Sequence, residues 1–133
     1  MDISSRKIQE TAVIHLTDPA TGEKLYEGEG KDDKDKVTIT IASQASKAYR
    51  KAVNALSNRA IKRGTKKQTA QEQRDEGIEL LVQICISSTN LELNGKTVQT
   101  EADFRALLSD DSYLWVKTQI DEALGDHANF VAK

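Results

Sequence analysis

The stretch KVTITIASQASKAYRKAVNAL, residues 36–56, changes its hydrophobic period partway, and that change decides the fold. Up to Ala42, the apolar residues Val37, Ile39 and Ile41 alternate with Thr38 and Thr40. A period of two suits a strand with one face on a core. From Ser43 onward the apolar positions are Ala45, Ala48, Tyr49, Ala52, Val53, Leu56 and Ala60. They follow the helical spacing i, i+3, i+4, i+7, which predicts an amphipathic helix. Ser43 is the candidate N-cap, and Lys62-Arg63-Gly64 supplies a basic last turn and a glycine stop. The apolar stripe is rich in alanine, so a partner can approach this helix closely.

Working upstream, Thr11 to Thr17 places Ala12, Ile14 and Leu16 on one face of a short strand. Asp18 to Glu23 is a turn by composition, with Pro19 and Gly22. Lys24 to Glu27 reads as a returning strand, and residues 29–36 as a solvated charged loop. Downstream, Thr69 to Glu72 fits a capping box that opens a second helix. That helix is expected to run through Ile86 and to be apolar around most of its circumference from Ile78. Such a helix should be central or partly covered by another chain. Asn94-Gly95 marks a tight turn or tiny hairpin. Thr100 to Asp103 caps a short third helix. Asp110-Asp111 caps a fourth, with Trp115 and Ile120 as its anchors. The expected class is α+β, mostly α-helical: a small N-terminal antiparallel β-sheet packed on about four helices.

The chain has 133 residues, 38% hydrophobic and 30% charged, with a single cysteine. One domain spanning 1–133 is expected, with 1–10 and 126–133 flexible. A lone Cys85 rules out an intramolecular disulfide. No apolar run reaches the roughly 18 residues of a membrane span. The first ten residues lack the apolar core of a signal peptide. An intracellular protein with no membrane association is the expectation.

The formal net charge of −2 hides a segregated pattern. Residues 37–71 hold eight basic and no acidic side chains, whereas residues 72–133 hold five basic and twelve acidic ones. A basic block of this kind suits a polyanion, a solvated helix face, a protein partner or the acidic block of another copy. Tyr49 is the only aromatic near it, no nucleic-acid reader motif is present, and the pI is about 5.7. These features weigh against a dedicated nucleic-acid binder. A small nucleic-acid-binding or regulatory phage protein using the basic helix 47–67 remains the alternative function.

Catalytic chemistry finds little support. Gly95-Lys96-Thr97 resembles the end of a phosphate-binding loop, but Asn90 stands where the pattern needs its first glycine. The run Asp32 to Asp35 puts a lysine where a calcium loop needs a ligand. His15, His127 and Cys85 are too far apart in sequence for a local metal motif. His15 is expected to be exposed, and Cys85 to be a small buried hydrophobe. No catalytic residue, metal or cofactor is expected.

The segment FRALLSDDSYLWVKTQIDEALGD, residues 104–126, followed by Asn129-Phe130, resembles the C-terminal part of a known family. The family is the tail assembly chaperones of phages with long non-contractile tails, found also in prophages. The order upstream is similar too: a small strand region containing LTDPATGE, residues 16–23, and then helices. The resemblance spans residues 11–130. It implies a non-enzymatic chaperone that keeps the tape measure protein soluble until tail tube subunits assemble around it. It also implies location in the host bacterial cytoplasm and absence from the finished virion. In this family a longer, frameshifted form recruits the tail tube protein, and this chain resembles the short form. The family supplies no site motif that can be carried over by position. Candidate contact residues therefore come from charge and apolarity: Lys47, Arg50, Lys51, Arg59, Lys62 and Arg63 on the basic helix, and Ile78, Leu81, Val82 and Ile86 on the apolar one. Segregated charge and surplus apolar surface also predict a homo-oligomer.

Overall fold

The computed structural model describes residues 1–131. Strands β1 (Thr11–His15), β2 (Thr38–Ala42) and β3 (Cys85–Thr89) form one antiparallel sheet with β2 in the middle. Ile39 and Ile41 of β2 are wholly buried. Beside them on the same face stand Ile14 and Ala12 of β1, and Ser88 and Cys85 of β3. The period-two reading of β1 and β2 holds.

Strand β3 corrects the sequence reading. The second helix, α2 (Ala70–Ile84), ends two residues before Ile86, and the chain turns straight into the sheet. The N–H of Cys85 closes the last helical turn on Leu81 and Val82, and its own backbone is already extended. An Ile-Cys-Ile run satisfies both periods, but only the sheet gives the Ser87-Ser88-Thr89 tail a partner. A bulge opposite Thr40 and Ile41 leaves Ile86 without a partner on β2, and it is 48% exposed.

Lys24–Glu27 does not form a strand. It makes isolated bridges, Thr17 with Lys24 and Tyr26 with Lys36. Leu25 wedges between the ends of β1 and β2, donating to the Leu16 carbonyl at 2.9 Å and accepting from the Val37 N–H at 3.1 Å. The turn before it forms as expected: Gly22 donates to Asp18 and takes a φ of 77°.

Helix α1 (Lys47–Arg63) begins later than expected. Ser46 is its cap, accepting from the Tyr49 N–H at 3.1 Å, while Ser43 is buried in the turn before it. Ser46 in turn donates its hydroxyl to the Ser43 carbonyl. Gly64 ends the helix at φ 62°. Thr69 caps α2. Asn94 and Gly95, both at positive φ, join β4 (Glu92–Leu93) to β5 (Lys96–Thr97) in the expected hairpin. Thr100 and Asp103 form a reciprocal capping box on α3 (Glu101–Ser109). Asp110 caps a single 3₁₀ turn that leads into α4 (Leu114–Gly125).

Helix α2 is the hub: it packs on α1, α3 and α4 and runs on into β3. The core joins Leu16, Ile39 and Ile41 to Val82 and Ile84 of α2, Phe104 of α3, and Val116 and Ile120 of α4. Each such side chain contributes about 1.5–3 kcal/mol by leaving water. Phe130 completes the core, and the Gln9 N–H donates to its carbonyl at 2.7 Å. Ile8 bridges to Val131. The segments expected to be flexible thus contribute a buried ring and backbone pairing to the fold through Phe130, Val131, Ile8 and Gln9. Residues 132–133 lie outside the described ones. No helix among the described residues is long and apolar enough to cross a membrane.

Candidate interaction surface on the helical hairpin

Helices α1 and α2 form a hairpin joined through residues 64–69. Its base rests on the core: Ala52 is buried, and Tyr49, Val53 and Leu56 are half-buried. Its tip does not. From Ser57 to Lys67 only Arg63 is even half-covered, Ile61 is 76% exposed, and α2 is exposed from Ala70 to Asp75. The tip is tied by side chains alone, with Arg63 to Glu76 at 3.4 Å and Gln68 also donating to Glu76.

A groove of about 260 Å³ runs between the two helices. Ala48, Ala52, Ala55 and Leu56 of α1 and Leu80 of α2 give it an apolar floor. Lys51 and Arg59 stand on one rim, Glu79 and Gln83 on the other. Short side chains on α1 leave the room, as the alanine-rich stripe implied. Arg105 grips Glu79 with two bonds of 3.0 and 2.8 Å and holds its carboxyl below the usual range. The α2 rim is therefore neutralised by Arg105, with Arg59 across the groove adding to the effect, whereas Lys51 and Arg59 of the α1 rim are in no close ion pair among the described residues.

The acidic part of the chain is partly paired in the same way. Arg105 also reaches Glu101, Arg74 meets Asp111, and Lys96 meets Asp103. The basic block has one such pair. Lys47, Arg50, Lys51, Arg59, Lys62, Lys66 and Lys67 are exposed, and none makes an ion pair among the described residues. Asp121, Glu122 and Asp126, on and just after α4, also lack ion pairs among the described residues.

The ten candidate contact residues do not form one surface. Lys47 and Arg50 lie on the outward face of α1 with Asn54 and Asn58, and Lys51 borders both that face and the groove. Arg59 is on the groove rim, Lys62 is exposed, and Arg63 is drawn onto Glu76. Ile78, Leu81 and Val82, at 4%, 2% and 1% exposure, are core residues rather than exposed ones. Part of the apolarity assigned to their helix, Cys85 and Ile86, belongs to the strand that follows it. Ile86 is exposed, but on the sheet bulge. The groove residues Ala55, Leu56 and Leu80 were not among the candidates, although Leu56 lay on the helical stripe.

The remaining reactive groups have structural surroundings. Burial pushes the Cys85 thiol up to about 12. His15 is half-buried rather than exposed, with Nε2 2.6 Å from the Leu25 carbonyl and its ring edge-on to Tyr26. Among the described residues, no group of three or more His, Cys, Asp or Glu side chains is placed to hold a metal ion. No family model, curated protein or solved structure matches this chain.

Proposed function

We propose that this protein is a tail assembly chaperone of a phage or prophage with a long non-contractile tail. It acts without catalysis in the host bacterial cytoplasm and is not retained in the virion. It holds the apolar helices of the tape measure protein in solution, and a longer frameshifted form of the chain brings in tail tube subunits. The observation that carries this reading is the α1–α2 groove. It offers a half-exposed apolar floor beside Lys51 and Arg59, which are in no close ion pair among the described residues. An amphipathic client helix laid there would add a third helix to the hairpin, covering Leu56 and Leu80. The resemblance of residues 104–126 supplies the client's identity.

Co-expression with the tape measure protein of the same phage tests the reading. The expected result is a soluble complex of the two that survives purification. A tape measure protein that stays insoluble with and without this chain overturns it. The exposed cations of α1 also support the second reading, a nucleic-acid contact. In that case nonspecific DNA should shift in a gel at low salt and be released as salt rises. The chaperone reading expects no such shift at physiological salt.

A further inference from the structure

The outer edge of β1 is open along its middle and closed at both ends. Glu10 accepts from Ser43 and Leu16 donates to Val37, so even-numbered residues turn their backbone groups toward β2. Odd-numbered residues turn theirs outward. At one end, the side-chain amide of Gln119 takes both outward groups of Thr17, accepting its N–H at 2.8 Å and donating to its carbonyl at 2.7 Å. At the other, Gln9 donates to the Phe130 carbonyl. Between them, the outward N–H and C=O groups of Thr11, Val13 and His15 have no partner among the described residues. Natural edges are usually guarded by lysine, proline or a bulge. This one has none of these, and Val13 on it is 64% exposed.

The edge also forms one wall of a groove of about 220 Å³ whose other wall is the end of α4. Ile14 and His15 face Glu122, Ala123 and Asp126 across it, with Lys24 beside Thr17. A strand edge opposite a helix is a setting in which extended peptides add a strand. Glu122 and Asp126 have no ion pair among the described residues, so a peptide carrying cations fits.

We propose that this edge takes the segment Met1–Lys7 of a second copy as an added strand. That segment is exposed throughout, with Met1 and Ile3 among the most exposed large apolar side chains of the molecule. It also carries Arg6 and Lys7, neither in an ion pair among the described residues. Its present structure is one 3₁₀ turn that buries nothing. Extended, seven residues span about 23 Å, enough to run the length of β1. The segment cannot fold back onto its own β1, because Phe130 and Val131 occupy the edge at Ile8 and Gln9. Pairing therefore joins two copies. This inference does not rest on the chaperone reading.

The test uses the whole chain, a variant lacking residues 1–7, and a synthetic peptide of residues 1–9. Light scattering and sedimentation should show that the full chain self-associates more strongly than the truncated one. Amide exchange at Thr11, Val13 and His15 should slow as concentration rises, and should slow in the truncated protein when the peptide is added. Val13→Pro removes an outward donor without touching the β1–β2 ladder, so peptide binding should weaken about tenfold. Glu122→Lys with Asp126→Lys should weaken it too, while unchanged circular dichroism shows both variants folded. Should either variant unfold, the exchange pattern of the unsubstituted chain decides. Equal binding of a scrambled peptide overturns the assignment of the segment. Self-association that is unchanged by truncation, or exchange at the three amides that ignores concentration, overturns the proposal.

Discussion

Asp103 shows how one side chain sets a boundary. Its carboxylate accepts from the N–H groups of Thr100 and Gln99, both at 3.1 Å, while Thr100 accepts from Asp103 in return. The two backbone bonds hold its carboxyl down at about 2, against an ordinary 3.8. A depressed folded value means stability that is fully present above the unfolded value and lost as pH falls through the folded one. A carbon-detected titration should therefore find Asp103 the most acidic of the carboxyls with shifted values, and Thr100→Ala should raise it. Thr100→Ala should also cost about 1 kcal/mol of stability. An Asp103 that titrates near 3.8 contradicts the capping geometry. The cap at Thr100 was legible because its residues are local in sequence, whereas the reciprocal box was expected at Thr69. The cap of α1 was not: Ser43 and Ser46 have the same chemistry, and the sheet settles the choice by taking the Ser43 N–H onto the Glu10 carbonyl. Cys85 offers a second check at this scale. Its thiol, raised to about 12, should resist maleimide at pH 8 in the native protein and react at once in urea. Equal rates in both would place it outside the core.

Among the elements, β1, β2, α1, α3 and the Asn94-Gly95 hairpin were readable because each carries its signal within a few residues. Strand β3 was not, since Ile84, Cys85 and Ile86 fit either period and only β2, more than forty residues upstream, completes the strand. The contrast between Ile120 and Trp115 on α4 follows from position. Ile120 is wholly buried and Trp115 only half so. Ile120→Ala should cost about 2–5 kcal/mol, and Trp115→Ala should cost less despite its larger ring. Thermal melts of the two variants decide it, and the reverse order would mean that the α4 face is misassigned. Helix α1 buries a single residue, Ala52. Its amides should exchange through a local opening well before those of α4. Exchange of both helices only by global unfolding would show α1 to be part of the core.

At the scale of the whole molecule, charge segregation was legible and its placement was not. Sequence counts located the basic block, but only the fold shows that Arg63 is spent on Glu76 while Lys51 and Arg59 rim a groove. Ile78, Leu81 and Val82 are buried, which the sequence did not show because apolarity does not say which face of α2 packs inward. Exposed blocks of opposite sign should also make self-association salt-sensitive. Scattering that is unchanged between low and physiological salt would remove charge from the account.

The central claim is that the α1–α2 groove holds the client. Leu56→Asp together with Arg59→Glu alters the floor and the cationic rim and leaves the Arg63–Glu76 pair intact. The direct measurement is the fraction of co-expressed tape measure protein that stays soluble with the native chain and with this double variant, after circular dichroism shows the variant folded. The account predicts a soluble tape measure protein with the native chain and an insoluble one with the variant. Equal solubility with both would contradict it.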